Sequence, residues 1–370
     1  MSSLHVAVIA FSSHGGSGIV GFESSCRLAH RGHRVCFISS ERPLRADPAE
    51  GALSVLTVQD DPYPEFSPNA YAWSLAASLL DVHQRQPIDV VHAHYAVPHA
   101  VSLALLRQTL GSSVPRLVTT LHGTAVTHYT ERGSHRRLTG WALQQCDALV
   151  VPSSALLHSA AEHFGFVSER FRVIGNFVDL EAFQPDLERR APQLVHVSNL
   201  RGVKRGLDVI AIFARCHDAV PGLRLVVVGD GPDRAAMENR ARVLGLSDHV
   251  EFAGVDPHVA SRLRQASVFL LPSESESFGL AALEAMACGL PVIGSRVGGL
   301  QEVVPHGQGG FLFPVGDVDA MARARLEVLR DPALLQRQAT AARSRAEQIG
   351  APDPIIDEYE ALYRSLSVSA

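Results

Sequence analysis

Short apolar runs alternate with helical stretches along most of this chain, and that alternation constrains the fold more than any other feature. Strands that are apolar on both faces are typical of parallel sheets whose two sides are covered by helices. The first half therefore predicts a doubly wound α/β domain. Its apolar runs occupy residues 5–11, 34–39, 53–58, 88–92, 116–121 and 147–151.

A second series with the same pattern begins after a polar segment at 184–193, which we predict to be a hinge, and three helices close the chain. We expect two Rossmann-like domains, residues 1–185 and 186–353, with a C-terminal helix at about 354–370 packing back on the first. Doubly wound sheets bind ligands beyond the carboxyl ends of their strands, so we expect the active site in a cleft between the domains. The second series has apolar runs at 194–198, 223–229, 249–252, 268–272 and 291–294.

Composition and charge exclude several classes of protein. The chain has 370 residues, of which 46% are hydrophobic, enough for a sizeable interior. Its net charge of −5 provides no basic surface of the kind that nucleic-acid-binding proteins carry. No apolar run approaches the about 18 residues of a transmembrane helix, and the N-terminus lacks the basic segment of a signal peptide. We therefore expect a cytoplasmic protein with no stable membrane anchor and with its five cysteines as free thiols.

A glycine-rich loop follows the first apolar run, and a helix is predicted after it from about Ile19 to His30. Residues 16–21 (GSGIVG) match the pattern G-x-G-x-x-G, and Glu41 lies twenty residues beyond Gly21. That spacing is the fingerprint of dinucleotide-binding domains. Its physical content is broader, because glycines allow close backbone approach and a helix N-terminus presents free N–H groups to any anion. The loop predicts an anion or sugar site and leaves a dinucleotide open.

Two glutamates mark a second constellation within residues 273–291 (SESESFGLAALEAMACGLP). Glu276 and Glu284 are eight residues apart. Residues 280–288 favour a helix that stops at Gly289, so Glu276 is predicted in the preceding loop and Glu284 within the helix. A loop carboxylate can bind sugar hydroxyls, and a helix start can hold a phosphate.

Residues 276–293 (ESFGLAALEAMACGLPVI) resemble the E-x7-E signature of the large GT-B glycosyltransferase family that includes sucrose-phosphate and starch synthase relatives. Three further segments, 294–304, 310–317 and 227–232, are similar to the same family. The resemblance extends over essentially the whole chain and implies the GT-B fold, with two Rossmann-like domains facing each other across a cleft.

The first half resembles a narrower group, the N-acetylglucosaminyl-malate synthases that begin bacillithiol synthesis. The specific segments of this resemblance are HGGSGIVG (14–21) and HAHYAVPHA (92–100), supported by residues 119–124, 176–179 and 198–205. It implies transfer of N-acetylglucosamine from UDP-GlcNAc to the hydroxyl of L-malate, with retention at the anomeric carbon, and without a cofactor or an essential metal.

The family resemblance also implies roles for individual residues. Lys204 matches the lysine that binds phosphate, Arg201 is placed to assist it, Glu276 contacts the sugar hydroxyls, Glu284 holds the uridine ribose, and His122 lies beside the transferred sugar. The implied catalytic residues are His122, Lys204, Arg201 and Glu276. The implied donor-binding residues are Gly16, Asn199, Arg201, Lys204, Glu276, Ser277, Phe278, Gly279, Leu280 and Glu284. The implied acceptor-binding residues are Ser17, Tyr95, Thr124 and Asn176.

Two positions depart from the family pattern, and several alternatives stay open. Many relatives have arginine where this chain has Asn199, and relatives often have aspartate where it has Ala125. An inositol phosphate or another polyol could replace malate as the acceptor. A dinucleotide-dependent oxidoreductase would explain the glycine loop but leaves Lys204 and the two glutamates without a role. A nucleotide-sugar epimerase, a non-catalytic sensor and a homodimer also remain open.

Two features of the sequence could suggest a metal site, and we interpret both as structural instead. His92 and His94 share a strand face, with His99, His122 and His128 nearby. Each is predicted to be a partly buried, hydrogen-bonded histidine, except that for His122 the role implied by the resemblance is preferred. Residues 317–319 (DVD) are similar to the D-x-D metal motif of other glycosyltransferases, but they open a predicted helix. An N-cap aspartate is therefore the predicted role.

Overall fold

The computed structural model describes residues 2–11, 16–41, 52–58, 71–123, 126, 133–165, 169–186 and 192–368. The chain divides into two compact units, Met1–Ile174 with Asp353–Ala370 and Gly175–Pro352. Each unit contains one parallel sheet covered by helices. The expected pair of Rossmann-like α/β domains is confirmed.

The first unit contains a seven-stranded sheet in the order β3-β2-β1-β4-β5-β6-β7. Its strands are β1 His5–Ile9, β2 Arg34–Ser39, β3 Leu53–Thr57, β4 Val90–His94, β5 Arg116–Thr120, β6 Ala148–Val151 and β7 Phe171–Val173. Its described helices are α1 Gly16–His30, α2 Tyr71–Arg85, α3 His99–Leu110, α4 Gly133–Gln144 and α5 Ser154–Phe164. A 3-10 turn at Gly111–Ser113 follows α3.

The second unit contains a six-stranded sheet in the order β10-β9-β8-β11-β12-β13. Its strands are β8 Gln193–Val197, β9 Arg224–Val228, β10 Val250–Gly254, β11 Val268–Leu271, β12 Val292–Ser295 and β13 Gly310–Phe313. Its helices are α6 Gly206–His217, α7 Arg234–Val243, α8 Val259–Arg264, α9 Leu280–Ala287, α10 Leu300–Val303, α11 Val318–Arg330 and α12 Pro332–Gly350, and 3-10 turns lie at Gly202–Lys204 and Ser247–His249.

The division after Ile174 falls eleven residues before the boundary predicted at 185. Val178 and Phe183 are buried in the apolar core of the second unit, and the Val178 N–H donates to the Gly350 carbonyl at 3.0 Å. Their apolar packing assigns this segment to the second unit, whereas the polar composition that suggested a hinge begins only afterwards. Residues 187–191 of that hinge lie outside the described residues.

The last helix, α13 (Pro352–Val368), packs on the first unit. Arg31, the residue after α1, pairs with Asp353 at 3.2 Å and Asp357 at 2.5 Å. These ion pairs are exposed on the acidic side and contribute little stability. The buried Tyr359 and Tyr363 provide the apolar face through which α13 packs.

The described helices include none that is long and apolar enough to cross a bilayer. All five cysteines are free thiols, and four are buried, with Cys26 half-buried. Burial raises the pKa of Cys146 to about 11, so this thiol stays protonated and unreactive near neutral pH.

Candidate active site

The second sheet reverses its strand order between β8 and β11, which pair through Leu194 and Val268. Loops that leave neighbouring strands at such a point diverge and open a crevice at the carboxyl edge of the sheet. The loop after β8 carries Lys204 and the loop after β11 carries Glu276. The Glu274 N–H donates to the Val203 carbonyl at 2.8 Å and ties the two loops together.

Lys204 and Glu276 are in direct contact in this crevice. The Lys204 Nζ donates to the Glu276 Oε1 at 2.7 Å, and their side chains are 21% and 9% exposed. The Ser273 Oγ donates to the same oxygen at 2.8 Å. Within the described part of the chain no donor reaches Oε2, so that oxygen is available to a ligand hydroxyl. Sequence reasoning did not identify Ser273, because the repeated serines of 273–277 give no sign of which one contacts the carboxylate.

Lys204 is the one lysine in the sequence, since the other basic residues among the 33 Lys and Arg are arginines. An ammonium is a compact point charge, whereas a guanidinium is a planar fork. Lys204 therefore places the more compact cation beside Glu276.

Two helix N-termini open into this region. α6 follows Arg205, whose φ is 51°, and α9 follows Gly279, whose φ is 99°. Neither helix has a side-chain hydrogen bond at its N-cap. The Asp208 N–H of α6 donates to the Arg205 carbonyl at 2.9 Å, so the N–H groups that precede it in α6, and those that begin α9, can donate to a ligand. With one ammonium beside them, these groups suit a phosphate.

Glycines allow the neighbouring loops to approach closely. A Cβ on Gly231 would lie 2.2 Å from the Asn199 carbonyl oxygen, and one on Gly298 would lie 2.1 Å from that of Glu276. The Gly299 N–H donates to the same Glu276 carbonyl at 2.9 Å. The glycine-rich segments at 227–232 and 294–299 thus hold the two loops of the candidate site by backbone packing.

A buried histidine supports the first loop and was missed at the sequence level. His196 on β8 contacts the Leu270 carbonyl through Nδ1 at 2.8 Å and the Ser198 Oγ through Nε2 at 2.8 Å. Ser198 in turn accepts the Leu200 N–H at 3.2 Å. Burial lowers the pKa of His196 to about 4, so the neutral ring donates from Nδ1 and accepts from Ser198.

The remaining predicted donor residues occupy different positions. Asn199 and Arg201 are exposed on the loop after β8, Ser277 and Leu280 are half-buried at the start of α9, and Glu284 is half-buried within α9, as predicted. Phe278 is buried. Gly16 is exposed in the first unit.

The first unit has its own strand-order reversal, between β1 and β4. α1 begins at Gly16 rather than at the predicted Ile19, so Gly16 and Ser17 form its first turn. Gly21 allows α1 to approach the sheet, because a Cβ there would lie 2.9 Å from the Ala10 Cβ and 3.3 Å from the His94 ring. Ser17 is four residues before Gly21 and therefore shares this inward face.

Four histidines lie at the carboxyl end of this sheet. The His122 Nε2 is 3.4 Å from the His94 Nδ1, and the His99 Nδ1 donates to the His94 carbonyl at 2.8 Å. Burial lowers the pKa of His92 to about 3 and the pKa values of His99 and His122 to about 4. Burial also lowers the pKa of His94, so all four are neutral at physiological pH. Their hydrogen bonding agrees with the prediction, but they are fully rather than partly buried; His128 lies outside the described residues.

Tyr95 stacks on His122 with ring centroids 5.7 Å apart and planes 20° apart. Its φ is 93°, a strained value for a residue with a side chain. The structure therefore brings Tyr95 and His122, both predicted site residues, into contact. Thr124 and Ala125 lie outside the described residues. Asn176 belongs to the second unit rather than the first, and it is buried with an Oδ1 that has no partner among the described residues.

Across the described ranges, no group of three or more histidine, cysteine or acidic side chains is arranged to hold a metal. Asp317 caps α11, with its Oδ1 accepting the Ala320 N–H at 3.0 Å. The N-cap interpretation of residues 317–319 is confirmed.

Comparison with known proteins agrees with this architecture. Residues 14–182 match the model of Glycosyltransferase Family 4, and residues 178–345 match that of Glycosyl transferases group 1. The chain is 35% identical to N-acetyl-alpha-D-glucosaminyl L-malate synthase of Bacillus anthracis, over 97% of this chain and 96% of that protein. It is 31% identical to D-inositol 3-phosphate glycosyltransferase of Kribbella flavida, over 95% and 91% of the two chains.

A solved structure of sucrose-phosphate synthase from Thermosynechococcus elongatus superposes with a TM-score of 0.84 at 24% identity, covering 99% of this chain and 100% of that one. At this level of identity the match supports the fold. The two family models and the relative that is similar over almost the full length agree with it. Both Rossmann-like units are therefore accounted for by glycosyltransferases, and the oxidoreductase alternative has no support. The chain belongs to the group 1 glycosyltransferases of the GT-B fold.

Proposed function

We propose that this chain is a retaining transferase that moves N-acetylglucosamine from UDP-GlcNAc to the hydroxyl of L-malate. The single observation that carries the donor half is the convergence of Lys204 and Ser273 on Glu276 at the reversal point of the second sheet. The acceptor half is supported by full-length similarity to a malate-using relative and by the motifs of the first half.

The donor is recognised in three parts. The Lys204 ammonium and the N–H groups that begin α6 and α9 bind the diphosphate. The open Oε2 of Glu276 accepts hydrogen bonds from the sugar hydroxyls, while Oε1 stays held by Lys204 and Ser273. Glu284 on α9 binds the ribose.

The acceptor is recognised in the first unit. The first turn of α1, with Gly16 and Ser17, presents backbone and hydroxyl donors to the malate carboxylates. Tyr95 completes this site, and neutral His122 stacks on it where it can lie beside the transferred sugar. A neutral imidazole can direct an uncharged hydroxyl without adding a cation that would compete for the diphosphate.

The reaction needs no protein nucleophile. The malate hydroxyl oxygen forms a bond to the anomeric carbon on the face from which the diphosphate leaves, while the bond between that carbon and the phosphate oxygen breaks. The hydroxyl proton passes to a diphosphate oxygen, and the products are UDP and the malate α-glycoside. Stabilisation of the negative charge that develops on the leaving group is the main task of the site.

The test measures UDP release from UDP-GlcNAc with and without L-malate, in EDTA. Release that depends on malate is expected, and release without any acceptor would contradict the proposal. Loss of turnover in EDTA that added divalent metal restores would overturn the metal independence. Because the chain contains one lysine, acetylation of Lys204 can be followed by mass spectrometry, and UDP-GlcNAc should protect it.

An inositol phosphate is the second candidate acceptor, favoured by the 31% identity to D-inositol 3-phosphate glycosyltransferase of Kribbella flavida. The same assay with inositol 3-phosphate in place of malate distinguishes the two. Release with inositol phosphate alone would retain the donor site and replace the acceptor.

A further inference from the structure

The C-terminal helix supplies a buried hydrogen bond to the end of the first sheet. The Tyr363 hydroxyl of α13 lies 2.6 Å from the His92 Nδ1 on β4, although the two residues are 271 positions apart. Both side chains are 1% exposed. A contact of this kind holds its geometry, because breaking it would leave a buried polar atom without a partner.

The second ring nitrogen of His92 is also engaged. Its Nε2 lies 2.7 Å from the Thr120 Oγ1 at the end of β5. The neutral imidazole has one N–H and one lone pair, so one of the two hydroxyls donates to the ring and the other accepts from it. Tyr363 and Thr120 together therefore fix the orientation of the His92 ring.

Contacts continue from this pair to the candidate acceptor residues. The Thr120 carbonyl accepts the Tyr95 N–H at 2.9 Å, at the residue whose φ is 93°. A strained backbone persists only where its surroundings hold it. The His94 ring lies 4.5 Å from the His92 ring and 5.6 Å from that of His122, between centroids.

We propose that Tyr363 is a positioning residue for the acceptor site: through His92 and Thr120 it holds Tyr95, and through the stacked His94 it holds His122. The C-terminal helix thereby takes part in arranging the site and not only in stabilising the unit. The kinetic consequence rests on the proposed function, whereas the structural consequence does not.

The chain offers a matched control for this contact. Tyr359 is on the same helix, is 1% exposed and places its ring 5.3 Å from that of His92. Its hydroxyl makes no hydrogen bond to His92; it lies near Thr120, outside normal hydrogen-bond geometry. Tyr363→Phe removes the hydroxyl that is bonded to His92, and Tyr359→Phe removes one that is not, with the same change in composition.

Hydrogen exchange tests the structural part without any substrate. In Tyr363→Phe we expect the Tyr95 amide to exchange about tenfold faster, while Tyr359→Phe stays close to the wild type. Thr120→Val breaks the network from its other side, and the double variant with Tyr363→Phe should show less than the sum of the single effects. Equal protection of the Tyr95 amide in Tyr363→Phe and Tyr359→Phe would overturn the proposal.

Steady-state kinetics test the functional part. Tyr363→Phe should raise the KM for L-malate about tenfold and leave the KM for UDP-GlcNAc within about twofold, because the hydrogen-bonded path from Tyr363 ends on the acceptor residue Tyr95. A purely structural role would lower the Tm and change neither KM selectively. If the wild type shows no malate-dependent turnover, the proposed function fails, and the exchange comparison still decides whether Tyr363 positions Tyr95.

Discussion

Replacing Lys204 with methionine removes the one lysine at nearly constant side-chain length. The ammonium lies 2.7 Å from Glu276, whose side chain is 9% exposed. Losing one partner of a buried ion pair costs about 3–5 kcal/mol. Lys204 is 21% exposed and Ser273 still donates to the carboxylate, so a smaller loss of about 2 kcal/mol is expected. For a unit of this size that corresponds to a fall in Tm of roughly 4–8 °C.

The same substitution removes a cation from the leaving diphosphate. Loss of one preorganised contact to a developing negative charge lowers kcat by about 10²–10³-fold. Lys204→Arg restores the charge but replaces the compact ammonium with a planar fork. We expect Lys204→Arg to recover the Tm but less than about a tenth of the lost kcat.

Calorimetry and UDP release measure these two effects on the same preparations. The control is Arg215→Met, which removes the ion pair between Arg215 and Asp319. These two side chains are 45% and 65% exposed, so the substitution should leave Tm and kcat nearly unchanged. Wild-type kcat in Lys204→Met would refute the role of the ammonium, and full activity in Lys204→Arg would refute the argument from its size.

Three further predictions concern the donor loops, a buried cation and pH. Gly231→Ala should lower the affinity for UDP-GlcNAc, measured by isothermal titration calorimetry, because it displaces the loop at Asn199. Gly245 also has a left-handed backbone but lies in open space, so Gly245→Ala should leave the affinity unchanged. Arg325 is fully buried with no partner for its guanidinium among the described residues, so Arg325→Met should raise the Tm; a marked fall would reveal a partner. Burial lowers the pKa of His99 to about 4, below its unfolded value of about 6.5. The unfolded chain then binds more protons, and stability should be full above about pH 6.5 and decline towards pH 4 in calorimetry.

The alternation of apolar runs was sufficient to predict both sheets, because each interior strand is buried on both faces. The edge strands β7 and β13 escaped prediction. β7 has three residues, of which only Phe171 is buried, and β13 is only half-buried along its length. The early start of α1 at Gly16 was not predicted, because glycine has a low helix propensity.

The candidate site was predictable where a local motif carries it. Glu276 in a loop and Glu284 in a helix follow from the helix signals of a single segment. The contact between Lys204 and Glu276 spans 72 residues, and only the family pattern placed both in one site. Tyr363 and His92 have no local signal, because their relation depends on the path by which α13 returns to the first unit.

The central claim is transfer of N-acetylglucosamine to malate with retention, and identification of the product tests it most directly. Purified protein, UDP-GlcNAc and L-malate would be incubated in EDTA, and the product examined by mass spectrometry and proton NMR. The account predicts equal amounts of UDP and a malate glycoside with the α configuration. A β-glycoside, or UDP formed without a glycoside of malate, would contradict it.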